Sequence, residues 1–156
     1  MKIQLTNKNA KVPERMTQDS AGYDLYSPIS VSINPNETVK INLGIRIAIS
    51  TQCFGMIVPR SSMGIKKNIG LANTVGIIDA DYRDDIIIAL RNYGNEPQKI
   101  NAGDRIAQII FLQYGVSTHD GNPDNGEEVG YRYLGFDVVD ELDKTERKGG
   151  IGSTGD

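Results

Sequence analysis

Apolar residues occupy every second position between residues 38 and 50, and this alternation restricts the fold more than any other feature of the chain. Side chains in a β-strand point alternately to opposite faces, so a period of two predicts one long strand with one buried face. A turn signal, Asn-Pro-Asn at 34–36, precedes this strand. The apolar positions are Val39, Ile41, Leu43, Ile45, Ile47 and Ile49.

Further strand-like runs follow at 53–58, 86–91 and 106–113, and clusters of glycine, proline and asparagine separate them. Many short strands with such turns predict an all-β fold, either a sandwich or a jelly roll. Helix signals are few, and residues 140–146 are expected to form a short turn at most.

Composition indicates a single globular domain, because 38% of the 156 residues are hydrophobic and 24% are charged. No apolar run reaches the roughly 18 residues of a membrane-spanning helix, and the N-terminal apolar run is too short for a signal peptide. We therefore expect a protein that is not secreted and has no membrane partner, located in the cytoplasm, the nucleus or a host-cell interior. A net charge of −3 gives no sign of direct nucleic-acid binding.

The chain has one cysteine and one histidine. Cys53 lies in an apolar strand, where a buried and unreactive thiol is expected. Two such residues are too few for a site built from histidine and cysteine ligands, so any metal must be a hard cation held by oxygen atoms.

Two segments predict contacts beyond a single compact subunit. Residues 86–90 are apolar at consecutive positions, so both faces of that strand need cover, and we expect an oligomer. Residues 115–134 are polar and rich in glycine, asparagine and aspartate, which is typical of a long surface excursion. This excursion is a possible contact surface for an unknown protein partner.

The stretch at 76–85 places carboxylates around a tyrosine between two apolar runs. Asp79 directly follows two isoleucines, and a carboxylate at the edge of a packed sheet costs free energy unless it is paired or used. The plain alternative is a β-hairpin with an acidic turn.

Two other segments could bind phosphate. Residues 58–64 place Arg60, Ser61 and Ser62 directly after a strand, where guanidinium, hydroxyl and backbone N–H groups suit a phosphate, although a structural turn has the same composition. The glycine-rich end at 147–156 carries Arg147 and Lys148. Such a terminus is usually frayed and inert, but it also suits a segment that becomes ordered around polyphosphate.

Five segments in fixed order resemble the five motifs of the homotrimeric dUTP diphosphatases (dUTPases). They are residues 21–25, 59–62, 76–82, 103–108 and 149–155. Each segment alone is a weak signal, but the set extends over nearly the whole chain.

This resemblance implies a distorted jelly roll of the dUTPase type that forms a homotrimer with shared active sites. The domain would comprise residues 1–146 with 115–134 as a surface insertion, and residues 147–156 would be a flexible C-terminal arm that closes over the site. The implied reaction is hydrolysis of dUTP to dUMP and pyrophosphate with Mg²⁺, which limits uracil in DNA and supplies dUMP for thymidylate.

The resemblance also implies roles for individual residues. Asp79 matches the general base that orients water for attack on the α-phosphorus, and Gln108 and Ser61 match residues near the reacting phosphate. Asp24 matches a residue that touches the metal through its hydration shell. Tyr82 matches the residue that packs on the deoxyribose and excludes a 2′-hydroxyl. The remaining substrate-binding positions are Arg60, Ser62, Met63, Asn73, Gly76, Ile78, Arg147, Ile151, Gly152, Ser153 and Thr154.

Four departures from the family pattern affect these expectations. One residue, instead of two, separates Arg147 from the following Gly-Gly pair. Ile151 replaces the phenylalanine that stacks on uracil, so an aliphatic group must cover the base by dispersion alone. Asp84 replaces a glycine, which is tolerable even at positive φ, and the 115–134 insertion lengthens the spacing before the fifth motif.

Two alternatives to the dUTPase interpretation stay open. A dCTP deaminase shares the fold but needs a glutamate near the base, and residues 86–90 contain no acid. A regulatory binding protein on the same scaffold would use the 115–134 excursion as its contact surface. The presence of Asp79, Tyr82 and Gln108 with the tail disfavours an inactive enzyme.

Overall fold

The computed structural model describes residues 1–113 and 137–144, which form twelve strands and one short helix. The strands are β1 (Lys2–Leu5), β2 (Tyr23–Tyr26), β3 (Val31–Ile33), β4 (Thr38–Asn42), β5 (Ile45–Ala48), β6 (Cys53–Val58), β7 (Ile69–Leu71), β8 (Gly76–Ile78), β9 (Ile87–Asn92), β10 (Gln98–Ile100), β11 (Arg105–Gln113) and β12 (Asp137–Val138). The helix α1 is Ser61–Lys67, between β6 and β7.

The strands form four small sheets around one apolar core, which is the architecture of a distorted jelly roll. The sheet orders are β12-β1-β5, β10-β3, β2-β11-β6-β8 and β4-β9-β7. Every pair is antiparallel except β1 with β12. The core consists mainly of isoleucine and leucine side chains, such as Ile3, Leu25, Ile41 and Ile109, which are fully buried. The all-β prediction is therefore confirmed.

The predicted single strand at 38–50 is wrong, because the segment forms two strands in different sheets. β4 pairs with β9, whereas β5 pairs with β1. The chain bends at Gly44, whose φ is +66°, and the side chain of Asn42 accepts a hydrogen bond from the Gly44 N–H at 2.7 Å. The alternation still predicts burial, since Ile41, Leu43 and Ile45 are at most 1% exposed. The same alternate positions therefore face the core before and after the bend.

The helix α1 is a second correction, because this segment was expected to be a turn or loop. Its signals lie at its end: Lys66 and Lys67 are in the last turn, and Asn68 has left-handed backbone angles. Only Met63 is buried, and Ile65 is 81% exposed, so the helix lacks the apolar periodicity by which helices are usually detected.

The other strand predictions are confirmed to within a residue. β6 spans the predicted 53–58, β9 begins one residue later than expected, and β11 begins one residue earlier. Cys53 is buried, as predicted. In the run at 86–90 the side chains of Ile86, Ile88 and Leu90 are buried, whereas Ile87 on the other face is 38% exposed. No helix in the described ranges is long and apolar enough to cross a membrane.

The bend at Gly44 gives a test of the fold. An alanine Cβ there would lie 2.4 Å from the Asn7 Cβ, and its φ would remain unfavourable. We expect Gly44→Ala to lower the free energy of unfolding by about 2–3 kcal/mol, measured by urea denaturation at fixed protein concentration.

The matched control is Gly64→Ala in the helix α1, where a Cβ meets nothing within 4 Å. That substitution should raise the free energy of unfolding by up to about 1 kcal/mol, because alanine has the higher helix propensity. Equal effects of the two substitutions would contradict the assigned bend.

Candidate active site

An open pocket of about 310 Å³ lies where β2, β11 and the end of β6 meet. Side chains from three distant parts of the sequence line it. They are Met16, Ser20, Ala21, Gly22, Asp24, Arg60, Ser61 and Gln108. Four of these, Asp24, Arg60, Ser61 and Gln108, are among the residues that the sequence predicted for one site, so the fold does bring this subset together.

The register of the four-stranded sheet creates this pocket. Gln108 in β11 lies opposite Asp24 in β2 and opposite Val58 in β6. Residues opposite each other in a sheet project to the same face, so the Gln108 and Asp24 side chains are neighbours. The chain then leaves β6 through Pro59, and Arg60 and Ser61 enter the pocket at the start of α1.

Asp24 carries the central charge of the pocket, and two arginines pair with it. Its Oδ1 lies 2.9 Å from Arg60 Nε, and its Oδ2 accepts a hydrogen bond from an Arg105 guanidinium nitrogen at 3.1 Å. Arg60 also donates to the Arg105 backbone carbonyl at 3.2 Å. The Asp24 side chain is only 10% exposed, so the pairing compensates a substantial desolvation cost.

Two guanidinium groups share one carboxylate, so this cluster carries one net positive charge. A partly buried positive charge next to the Ser61 hydroxyl suits an anionic ligand such as phosphate. The sequence alone predicts no role for Arg105. The signal for its role is its place in the segment at 103–108, directly before the buried part of β11.

Gln108 is half-buried, with its amide at the pocket wall. Its Nε2 donates to the Pro59 carbonyl at 3.2 Å. A Cβ on Gly22 would lie 2.8 Å from Gln108 Oε1, so the absence of a side chain at Gly22 leaves room for the amide. This close approach explains a glycine in the segment at 21–25.

Asp79 lies away from this pocket within one chain. Gly55 pairs with Ile78, so Asp79, which follows β8, lies near the start of β6. Val58 is at the other end of that strand. Four residues along the strands and two strand spacings put the Asp79 Cα about 16 Å from that of Gln108. Asp79 is half-buried, and its carbonyl accepts a hydrogen bond from the Tyr82 N–H at 3.1 Å, which closes a turn.

The Tyr82 ring is partly buried against the core, and its hydroxyl donates to the Asp85 carbonyl at 2.9 Å. The Asp85 carboxylate was not singled out from sequence. Burial alone would raise the pKa of Asp85, but hydrogen bonds from Asn42, Arg46 and Thr6 outweigh it and hold the pKa below its ordinary value. The stability from this ionised group is therefore present at neutral pH and is lost as the pH falls through the lowered pKa.

The turn between β7 and β8, together with β8 itself, holds three of the predicted binding residues. The two strands do not form a hairpin with each other, because β7 pairs with β9 and β8 pairs with β6. Asn73 is exposed in this turn, where its carbonyl accepts the Val75 N–H at 2.6 Å and Thr74 has a φ of +65°. Gly76 pairs with Ile57 between β8 and β6, and a Cβ at Gly76 would lie 3.3 Å from the Ile57 Cβ. Ile78 is half-buried against the core.

The remaining predicted residues fall into three groups. Met63 is buried in the core, and Ser62 is half-buried. Asp84 does not have positive φ, so the family's glycine is not needed there. The following lie outside the described residues: the insertion at 115–134, Arg147, Ile151, Gly152, Ser153 and Thr154.

The described residues contain no group of three or more histidine, cysteine, aspartate or glutamate side chains that could hold a metal. Asp24 is the only carboxylate that lines the pocket within that part of the chain. One carboxylate already paired with two arginines suits contact with a hydrated cation better than direct coordination.

The fold and the pocket together define an all-β protein with an open, arginine-lined pocket suited to an anionic ligand. Its sequence matches the dUTPase family over residues 8–135. This match includes four of the five motif segments and both the pocket and the Asp79 turn. The chain belongs to the dUTPase family.

Individual relatives agree with this assignment. The chain is 36% identical to the deoxyuridine 5′-triphosphate nucleotidohydrolase of Escherichia phage T5, over 99% of this chain and 98% of the relative. It is also 36% identical to that of Mus musculus, over 96% and 81%. The solved dUTPase of Streptococcus mutans has a TM-score of 0.68 at 27% identity, over 74% of this chain and 98% of that one. The Staphylococcus bacteriophage 80alpha dUTPase has a TM-score of 0.68 at 23% identity, over 81% and 97%, and supports the fold alone.

The contact between Gly22 and Gln108 can be tested by a double-mutant cycle. Gly22→Ala should cost about 0.5–1.5 kcal/mol of stability, because its Cβ forces the movable end of the Gln108 side chain out of its position. In a Gln108→Ala background the same change should cost clearly less, since the colliding atom is absent. Urea denaturation of the four proteins measures this, and additive costs would show that the contact is not made.

Proposed function

We propose that this protein hydrolyses dUTP to dUMP and pyrophosphate. The observation that carries the proposal is that one family match contains both the anion-binding pocket and the Asp79 turn. The charge of the Arg60–Asp24–Arg105 cluster supports binding of a triphosphate. Removal of dUTP would limit uracil incorporation into DNA, and the dUMP formed would supply thymidylate synthesis.

In the proposed reaction a water oxygen attacks the α-phosphorus. Asp79 orients this water and takes its proton, while the bond from the α-phosphorus to the bridging oxygen breaks and pyrophosphate leaves with the electron pair. An aspartate is a weak base at neutral pH, so exact placement of the water contributes much of the rate. Arg60 and Ser61 stabilise charge on the phosphates, and the Gln108 amide holds the α-phosphate or the water.

Mg²⁺ fits this site as an ion held mainly by substrate phosphates and water. Asp24 would contact its hydration shell, in agreement with a carboxylate whose oxygens are shared with two arginines. When bound, the ion would neutralise phosphate charge and make the α-phosphorus more electrophilic.

Selection of the substrate would come from the turn that contains Asn73 and from Tyr82. Backbone donors and acceptors in fixed geometry distinguish uracil from cytosine, because the wrong base leaves buried polar groups unpaired. The tight turn at Asn73 and the close pairing of Gly76 with Ile57 support such fixed geometry. The Tyr82 ring would exclude a 2′-hydroxyl, and Ile151 in the tail would cover the base.

The separation of Asp79 from Gln108 supports a site shared between subunits. The two residues lie near opposite ends of β6, with their Cα atoms about 16 Å apart. We infer a homotrimer in which a second subunit supplies Asp79 to the pocket and the arm at 147–156 closes over it. The exposed face of β9 at Ile87 is apolar and suits contact with another subunit. We also propose that residues 115–134 contact a protein partner. The protein is proposed to act inside the cell.

The general-base role predicts the behaviour of Asp79→Asn. This variant should bind dUTP normally and lose turnover by roughly 10²–10⁴-fold, because an amide cannot accept the proton. Pyrophosphate release from dUTP, dCTP, dTTP and UTP measures both turnover and selectivity. The matched control is Asp81→Asn, two residues away and exposed, which should keep near-normal turnover.

Two results of that assay would contradict the proposal. Near-normal turnover of Asp79→Asn would remove the base assignment. Ammonia release from dCTP, monitored in parallel, would favour a deaminase. We do not expect it, because the sequence of β9 contains no acidic residue.

Shared sites predict complementation between two inactive variants. When Asp79→Asn and Gln108→Ala subunits are refolded together in equal amounts, roughly a quarter of the sites should combine one intact Asp79 with one intact Gln108. Activity should therefore reappear in the mixture, while each variant refolded alone stays inactive. No recovery in a verified mixed oligomer would place both residues in the same subunit's site.

A further inference from the structure

We propose that Asp85 is a positioning residue that fixes the location of Asp79. It would act through the turn at 79–82 and would not touch the substrate. The inference rests on the proposed function, because it assigns Asp79 to the reaction.

The Asp85 carboxylate connects residues that lie in two strands and directly after a third. Its Oδ1 accepts hydrogen bonds from Thr6 Oγ1 at 3.0 Å and from Arg46 Nε at 2.7 Å. Its Oδ2 accepts from Asn42 Nδ2 at 2.9 Å. Thr6 follows β1, Asn42 ends β4 and Arg46 lies in β5, so one side chain ties the ends of two sheets together.

The backbone of Asp85 is in turn connected to the turn that carries Asp79. The Tyr82 hydroxyl donates to the Asp85 carbonyl at 2.9 Å, and the Tyr82 N–H donates to the Asp79 carbonyl at 3.1 Å. The Arg83 guanidinium closes the same loop by donating to the carbonyls of Ala80 and Tyr82 at 2.6 and 2.9 Å. Hydrogen bonds therefore connect Asp79 to Asp85 through Tyr82.

Backbone hydrogen bonds hold Ile86, the next residue, without any contribution from the Asp85 side chain. The Ile86 N–H donates to the Ile45 carbonyl, and the Ile86 carbonyl accepts from the Leu43 N–H, both at 2.9 Å. The carboxylate therefore adds constraint mainly to the residues before it, which form the turn. Since a misplacement of 1 Å can cost about 100-fold in rate, this constraint matters most for turnover.

Neighbouring charges do not duplicate this role. Arg46 also lines a second pocket of about 450 Å³ together with Arg83, Lys144 and the acidic residues Asp140, Glu141 and Asp143. Of the carboxylates near Arg46 in the described structure, Asp85 is the one that pairs with it. The Asp85 side chain is 21% exposed and Arg46 is 38% exposed, so the pairing is partly shielded from solvent.

The test compares Asp85→Asn with Glu37→Gln. Glu37 caps a turn at the opposite end of β4, where its carboxylate accepts the Asn34 N–H at 2.7 Å. We expect Asp85→Asn to lower kcat for dUTP by about 10–100-fold with KM changed less than about threefold, since substrate contacts remain. Glu37→Gln should leave both constants near those of the unmodified protein. Equal kcat values for the two variants would overturn the proposal.

A double-mutant cycle with Tyr82→Phe tests the route of the effect. That change removes only the hydroxyl that reaches the Asp85 carbonyl. If Asp85 acts through this bond, the double variant should lose little more kcat than Asp85→Asn alone, whereas multiplied losses would show independent effects. Should Asp85→Asn fail to fold, Thr6→Val removes one of the three hydrogen bonds and should lower kcat in the same direction by a smaller factor.

Amide hydrogen exchange separates this proposal from the proposed function. Asp85→Asn should speed exchange of the Tyr82 amide about tenfold or more, with the amides of β6 and β11 unchanged. Faster exchange with unchanged kcat would show that the turn is held by Asp85 but is not used in the reaction. Unchanged exchange would overturn the positioning role even if the protein proves inactive on dUTP.

Discussion

The register of β11 between β2 and β6 is the constraint on which the rest of the site depends. This strand has neighbours on both sides, and its residue Gln108 is paired at once with Asp24 and Val58. A slip of one residue would turn Gln108 to the opposite face and would bury a polar amide in the core. Because Ile106 and Ile109 are fully buried, the packing of the core and the geometry of the pocket are specified together.

The same register separates the two halves of the proposed chemistry. Anion binding is assembled at one end of β6, and Asp79 stands beyond the other end. A single chain therefore has a pocket without its proposed base. Assembly of several copies would complete it, so activity in this family member would depend on oligomer formation as well as on folding.

Two aspartates illustrate a shared physical principle. Asp24 and Asp85 are both shielded from solvent, and each is paired with arginine. Removing either partner would leave a poorly solvated charge, so each pairing restricts the conformations that its neighbours can adopt. Asp24 orients Arg60 in the pocket, and Asp85 is proposed to orient the turn of Asp79.

The sequence by itself determined the all-β class, the strands around residues 53–58 and 106–113, the burial of alternate residues from Ile41 to Ile49, and the motif residues. These features depend on local periodicity and residue type, which are visible in the chain. Only the tertiary structure decided the bend at Gly44, the helix α1, the pairing of Arg105 with Asp24 and the hydrogen bonds of the Asp85 carboxylate. Arg105 and Asp24 are 81 positions apart in the sequence, and the hydrogen-bond partners of Asp85 are 39 to 79 positions away from it. Such contacts follow from the strand register, which depends on the packing of the whole core and not on any local pattern.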